Sequence, residues 1–227
     1  MENPKGSPMS LTTPQVKICG LTRVDEAVAC AELGAAAIGF VFYPRSPRFV
    51  TVDQAREIAA SLPPEVCTVG VFVNEPLSGV MERVKGCGLK AVQLHGVESP
   101  EMVEQLAAEG VKVVKAVFIN GKPSIESASL YRPAAYLIEC AGGPLPGGNA
   151  MAWDWSAAMR LPKDSPVIVA GGLDSLNVAD AIRAASPDAL DVSSGVEASP
   201  GRKDLQKVKQ FLESVSRHRG TCRNVFR

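Results

Sequence analysis

The feature that most constrains this chain is a regular alternation of short, apolar, β-prone runs with segments of helical periodicity. The runs are mostly apolar along their whole length, which is typical of parallel strands that are buried on both faces. Eight strands are predicted, at Val16–Cys19, Ala37–Phe42, Cys67–Val73, Ala91–Leu94, Lys112–Val117, Ala135–Glu139, Val167–Ala170 and Ala189–Val192.

A helical stretch follows each predicted strand, and Asp53 and Ser99 stand where helix N-caps are expected. Eight strands alternating with eight helices predict one α/β domain, a single (β/α)8 TIM barrel, because open doubly wound sheets usually have fewer strands. The predicted helices lie around Val24–Leu33, Asp53–Leu62, Leu77–Gly86, Pro100–Glu109, Ser124–Leu130, Ser156–Arg160, Asn177–Ala184 and Lys203–Ser216.

The two ends of the chain lack the apolar periodicity of the rest. Residues 1–14 carry three prolines, and we expect them to be a disordered leader or tag remnant. The barrel is assigned to residues 15–216. Residues 217–227 are basic and show no helical stripe, so a loose tail is expected there.

Composition excludes several classes of function. Lys+Arg and Asp+Glu number 24 each, whereas a nucleic-acid surface needs excess cationic charge. No apolar run is long enough to span a bilayer, and no secretory signal is present. The six cysteines are scattered and match no zinc spacing. We therefore expect a cytoplasmic protein with reduced cysteines, most of them small core residues, and no metal site.

In such barrels the active site lies at the C-terminal ends of the strands. Gly171-Gly172 follows the seventh predicted strand and Ser193-Ser194-Gly195 the eighth. Backbone N–H groups at such positions bind anions, and these two loops are the usual phosphate site of the architecture. The alternative is a tight turn followed by an N-cap. The two loops together favour phosphate binding.

Two ionisable residues end strands across the same mouth. Cys19 lies between Lys17 and Gly20, so an exposed thiolate favoured by the nearby charge is one interpretation; a small buried hydrophobe is the other. Glu139 ends an otherwise apolar strand. It is either a solvated strand end or a general acid with a raised pKa.

Three further side chains in these loops are candidates for substrate binding. Arg45 and Arg48 suit a carboxylate or phosphate, and we expect one of the two to be merely exposed. His95 is either a proton shuttle or a hydrogen-bonded structural residue. The connection from Cys140 to Trp155 is long and rich in glycine and proline, which is typical of a functional lid. Trp153 and Trp155 are interpreted as packing residues.

Five segments, in this order, resemble the phosphoribosylanthranilate isomerase family: VKICGLT at 16–22, GFVFYPRSPRFV at 39–50, VGVFVN at 69–74, VQLHG at 92–96 and DVSSGVE at 191–197. The resemblance runs from Val16 to about Leu212. It implies an Amadori rearrangement of N-(5′-phosphoribosyl)anthranilate in tryptophan biosynthesis, without cofactor or metal.

The resemblance also implies roles for individual residues. Cys19 is the general base, Arg48 contacts the anthranilate carboxylate, and the backbone around Gly172 and Ser194-Gly195 binds the phosphate. Glu139 takes the general-acid position, where the family has an aspartate. The following loop, 146–151, lacks the lysine that the family carries there.

These two departures leave alternatives to the family reaction open. One is a divergent paralogue that acts on another phosphoribosyl amine, and the other is a weakly active barrel that binds phosphosugars. In every case the expected partner is a small phosphoribosyl compound, with no nucleic acid and no membrane. The chain is expected to be a monomer or a homodimer.

Overall fold

The computed structural model describes residues 12–141 and 153–226, and in them eight parallel strands close into one barrel. The first and last strands pair through Gln15–Ala189 and Ile18–Val192, which closes the sheet. The predicted (β/α)8 barrel is confirmed. The strands are β1 Gln15–Cys19, β2 Ala37–Val41, β3 Cys67–Phe72, β4 Ala91–Leu94, β5 Lys112–Phe118, β6 Ala135–Glu139, β7 Val167–Ala170 and β8 Ala189–Val192.

Six α-helices are found in the described residues, and none of them is long and apolar enough to cross a membrane. The helices predicted after β5 and β6 are instead 3-10 helices of six residues, Ile125–Leu130 and Trp155–Arg160, because segments this short rarely sustain an α-helix. The α-helices are α1 Val24–Glu32, α2 Val52–Ala60, α3 Leu77–Cys87, α4 Pro100–Ala108, α5 Val178–Ala185 and α6 Leu205–Ser216.

Two helix starts show how the local sequence sets these boundaries. Ser99 caps α4 by accepting from the Met102 N–H, as predicted. The predicted cap at Asp53 is wrong, because Thr51 caps α2. The Thr51 side chain accepts from the backbone N–H of Gln54, and the Gln54 side chain accepts from that of Thr51, so the two residues form a capping box.

The core has two layers, since alternate strand residues point to opposite faces of the sheet. Side chains on the outer face pack against the helices and form the larger cluster. Those on the inner face fill the barrel, with Ala37, Cys67, Val69, Leu137 and Ile168 among them. Two short strands, β9 Glu197–Ser199 and β10 Arg202–Lys203, form an antiparallel pair just after β8.

The C-terminal tail is not loose, which corrects the expectation from sequence. Val225 and Phe226 are each 3% exposed and belong to the cluster inside the barrel. Both of their N–H groups donate to Gln15 Oε1. The tail therefore covers the N-terminal mouth of the barrel, and two apolar residues suffice to dock it without a helical stripe.

The last residues of the expected leader are ordered against this tail. Thr12 and Gly220 exchange two backbone hydrogen bonds as an antiparallel bridge, and Pro14 is buried. The expectation of disorder is therefore wrong for residues 12–14. Residues 1–11, the rest of the expected leader, lie outside the described part of the chain.

Candidate active site

The loops after β7 and β8 meet at the C-terminal mouth of the barrel. Gly171 and Gly172 have φ values of +85° and +65°, a region that glycine enters without strain. A Cβ on Gly195 would lie 1.9 Å from the carbonyl oxygen of Leu173. Only glycine allows these two loops to approach so closely.

The same two loops present backbone donors to a small cavity. The N–H groups of Gly172, Ser194 and Gly195 donate to no acceptor among the described residues. Asn177 fixes the first loop by donating from Nδ2 to the carbonyl oxygen of Gly172, at 2.7 Å. The cavity has a volume of about 40 Å³ and is lined by Glu139, Ala170–Leu173 and Asp191–Gly195. Its size and donors suit one anionic group.

Cys19 lies at the end of β1, but its thiol is not the exposed thiolate considered above. The residue is only 8% exposed, and a Cβ on Gly39 would lie 2.9 Å from both Cys19 Sγ and Lys17 Cε. Burial raises the pKa of the Cys19 thiol, and the neighbouring Lys17 opposes this without cancelling it. At neutral pH the thiol is therefore neutral, and it lies beside a charged ammonium group.

Glu139 ends β6 with its carboxyl group buried rather than solvated. Its Oε2 lies 3.4 Å from His95 Nε2, and its Cγ would lie 3.0 Å from a Cβ on Gly171. His95 Nδ1 lies 2.8 Å from Gln93 Nε2, and its ring meets Phe118 edge-on. The hydrogen-bonded interpretation of His95 is the one that this geometry supports.

Arg48 is the buried member of the arginine pair, and Arg45 is exposed. Nε and Nη2 of Arg48 donate to the two carboxylate oxygens of Glu197 at 2.8 and 2.7 Å. Lys203 Nζ donates to Glu197 Oε1 at 2.8 Å. Burial by itself raises the pKa of Glu197, but the two cations outweigh it, so that pKa lies below its ordinary value. Burial lowers the pKa of Lys203, although attraction to Glu197 opposes this. With both cations charged, the cluster carries one excess positive charge.

A second buried ion pair lies deeper in the mouth. Lys17 Nζ donates to Asp191 Oδ2 at 2.9 Å, and both side chains are almost fully buried. Burial opposes the charge on Lys17, yet attraction to Asp191 and Cys19 raises its pKa overall. Asp191 Oδ1 and Gln93 Oε1 are buried and have no hydrogen-bond partner in the described part of the molecule.

The sequence-based prediction did not assign roles to Asp191, Gln93, Glu197 or Lys203. A signal for the first two was present, since each precedes a candidate residue by two positions, Ser193 and His95. Residues two apart on a strand share a face. A charged or amide side chain inside an apolar strand therefore indicates the polar layer of the mouth.

Other features contribute less to the site. Trp153 Nε1 donates to the carbonyl oxygen of Ala170 and packs on the core, as expected of a packing residue. Residues 142–152, which make up most of the expected lid, lie outside the described residues. A larger cavity of about 700 Å³ lies by the N-terminal mouth, far from these ionisable groups. Within residues 12–141 and 153–226, no cluster of three or more potential ligands could hold a metal ion.

An eight-stranded parallel barrel with a polar layer at its C-terminal mouth has the architecture of the TIM barrels, in which enzymes place their active sites at that mouth. The family model for N-(5′-phosphoribosyl)anthranilate (PRA) isomerase matches residues 16–214. The N-(5′-phosphoribosyl)anthranilate isomerase of Desulfatibacillum aliphaticivorans is 52% identical over 202 residues, which cover 89% of this chain and 93% of that protein. This chain belongs to the N-(5′-phosphoribosyl)anthranilate isomerase family.

Solved structures of relatives agree with this assignment. One is a phosphoribosyl anthranilate isomerase in complex with reduced 1-(o-carboxyphenylamino)-1-deoxyribulose 5-phosphate; it is 39% identical, with a TM-score of 0.78, covering 89% of this chain and 98% of its own. Another comprises engineered monomers of the dimeric isomerase from Thermotoga maritima, at 38% identity, the same TM-score and the same coverage.

Proposed function

We propose that this chain isomerises N-(5′-phosphoribosyl)anthranilate to 1-(2-carboxyphenylamino)-1-deoxyribulose 5-phosphate in tryptophan biosynthesis. One observation carries the proposal. Glu139, whose carboxyl group is the proposed acid, lines the same cavity as the glycines and serines of the two loops. A phosphate held by Gly172, Ser194 and Gly195 brings the attached ribose next to that carboxyl.

In this proposal two side chains each carry out one proton transfer, and tautomerisation of the intermediate completes the reaction. The Glu139 carboxyl protonates the ring oxygen of the ribose, which opens the ring and gives a Schiff base to the anthranilate nitrogen. The Cys19 thiolate then removes the proton from C2′, and the resulting enolamine tautomerises to the ketone as its C2′ hydroxyl loses a proton and C1′ gains one. Such acid–base groups typically contribute about 10²–10⁴-fold each.

The surroundings of Cys19 fit a base whose active form, the thiolate, is a minor species. Because burial raises its pKa, the thiolate is a strong base but a minor species at neutral pH. The ammonium group of Lys17 lies beside it and favours the charged form. The role of Cys19 in catalysis thus depends on Lys17 being held in place by Asp191.

Arg48 supplies the contact for the anthranilate carboxylate. Two of its nitrogens are committed to Glu197, whereas Nη1 donates to none of the described residues. The excess positive charge of Arg48, Glu197 and Lys203 favours binding of one further carboxylate. His95 is placed beside Glu139 and orients that carboxyl group.

The proposed partner is a small phosphoribosyl substrate alone, and the proposed location is the cytoplasm. Since the Thermotoga maritima relative is dimeric, a homodimer is the alternative to a monomer for this chain. Sedimentation or size-exclusion measurements on purified protein distinguish the two.

Turnover of N-(5′-phosphoribosyl)anthranilate by Glu139→Gln tests the proposal. We expect kcat to fall by about 10²-fold or more, because the amide cannot donate the proton. Glu126→Gln, at an exposed carboxylate, is the matched control and should leave kcat unchanged. Rescue of a strain lacking the isomerase should follow the same pattern.

Three results, from this assay, from a binding measurement and from a substrate panel, would contradict parts of the proposal. Wild-type-like turnover by Glu139→Gln removes Glu139 from the mechanism. Binding of the reduced product by the unmodified protein without turnover indicates a phosphosugar-binding barrel. Turnover of a different phosphoribosyl amine in a substrate panel indicates the divergent paralogue.

A further inference from the structure

Asp191 has a carboxylate whose two oxygens have different surroundings. The residue is 7% exposed and lies in β8, two positions before Ser193. Oδ2 accepts from Lys17 Nζ at 2.9 Å. Oδ1 is buried and has no partner among the described residues. A buried carboxylate oxygen without a donor is uncommon in native proteins and calls for a specific explanation.

The position of Asp191 supplies that explanation. It lines the small cavity together with Glu139 and the two loops that present free N–H groups. A group bound there with an anionic end on the loops brings its neighbouring atoms towards Asp191. An ionised carboxylate oxygen can only accept hydrogen bonds, so Asp191 Oδ1 requires a donor from the bound group.

Sugar hydroxyls are the donors that a phosphorylated sugar brings to this cavity. We propose that Asp191 is a substrate-contacting residue whose Oδ1 accepts a hydrogen bond from a hydroxyl of the ribose, while Oδ2 holds Lys17 beside Cys19. The inference rests on the proposed function and deepens it. One carboxylate then couples the seating of the sugar to the placement of the cation next to the base.

Binding of the reduced product by calorimetry tests this inference. The test variant is Lys17→Met/Asp191→Leu, which removes both charges together and so leaves no unpaired buried ion. We expect its affinity for the reduced product to fall about 10–100-fold, the usual range for losing a hydrogen bond to a charged group. Its affinity for inorganic phosphate, which reports the loops alone, should change less than about threefold.

Asp188→Asn is the matched control. Asp188 is also a buried aspartate, three residues upstream, but both of its oxygens accept hydrogen bonds at the N-terminal mouth. This variant should lose stability and keep its affinity for the reduced product. If the Lys17→Met/Asp191→Leu variant also binds the reduced product like the unmodified protein, Asp191 does not contact the sugar.

A second measurement does not depend on whether the test variant folds. Analogues of the reduced product that lack one sugar hydroxyl at a time are titrated into unmodified protein and into Asp191→Asn. Loss of one hydroxyl should weaken binding about tenfold in the unmodified protein and clearly less in Asp191→Asn. Equal losses in both proteins for every analogue would overturn the inference. Failure of the proposed function looks different, since unmodified protein would then neither bind the reduced product nor turn over the substrate.

Discussion

The two mouths of the barrel satisfy their polar groups in opposite ways. At the N-terminal mouth the C-terminal tail supplies the partners. Gln15 Oε1 accepts from the Val225 and Phe226 N–H groups, and Arg223 pairs with Asp188. At the C-terminal mouth two buried acceptor atoms, on Gln93 and Asp191, have no partner in the described residues. Unsatisfied buried acceptors cost stability, so the difference supports the proposal that the C-terminal mouth binds the substrate.

Strand β8 shows the contrast within a few residues. Asp188, just before the strand, receives hydrogen bonds from the N–H groups of Val167 and Arg223 as well as the Arg223 side chain. Asp191, inside the strand, receives one from Lys17. The same residue type thus fixes structure at one mouth and remains available for chemistry at the other.

The difference between the two mouths is tested most strongly by removing one buried thiol at each of them. Cys19→Ala at the C-terminal mouth should lower kcat by about 10²–10⁴-fold, because it removes the proposed base. Cys67 is also buried, but it begins β3 inside the barrel near the N-terminal mouth. Cys67→Ala should keep kcat within about threefold of the unmodified enzyme, since no proton transfer is assigned to it. Steady-state kinetics with N-(5′-phosphoribosyl)anthranilate check both values.

Equal losses of activity in the two cysteine variants would mean that packing, and not proton transfer, explains the effect of Cys19→Ala. Thermal melts of both proteins serve as the control for folding. A Cys19→Ser variant tests the need for a thiolate, because a hydroxyl is a far weaker acid than a thiol. It should be as inactive as Cys19→Ala.

The sequence predicts the barrel and its ligand-binding mouth better than it predicts the state of the groups there. Strand periodicity and strand-end position suffice to place Cys19, Glu139 and Gly171-Gly172 at strand ends of the same mouth. The neutral state of the Cys19 thiol does not follow from Lys17 as a sequence neighbour, because burial of the pair outweighs the nearby charge. Docking of the tail likewise depends on Val225 and Phe226 meeting Gln15, some 210 residues away in sequence, which local patterns do not encode.

The structural role of the N-terminal mouth is tested by truncating a buried side chain of the tail. Phe226→Ala should lower the free energy of unfolding by roughly 3–5 kcal/mol, because it removes a buried aromatic ring and loosens the tail. Phe49→Ala, at a residue that is 39% exposed, is the matched control and should cost less than about 1 kcal/mol. Urea denaturation measures both. Affinity for the reduced product should be unchanged in Phe226→Ala, and a marked loss would show that the two mouths are coupled.

Cys30, a cysteine outside both mouths, shows the effect of burial on a thiol. Burial raises the pKa of Cys30, on α1, from 9.0 to about 11. Between these values the thiol is protonated in the folded chain and ionised in the unfolded one, so unfolding releases a proton. Stability present below pH 9 is therefore lost as the pH rises towards 11, by up to roughly 2–3 kcal/mol from this residue.

Cys30→Ala should remove this part of the alkaline loss. Its unfolding free energy, measured in urea, should run parallel to that of the unmodified protein from pH 7 to 8.5 and fall less steeply from 9 to 11. Burial also raises the pKa of the Cys19 thiol, although Lys17 opposes this, so Cys19→Ala should flatten the alkaline slope as well. An unchanged alkaline slope in Cys19→Ala would mean that burial does not keep the Cys19 thiol neutral.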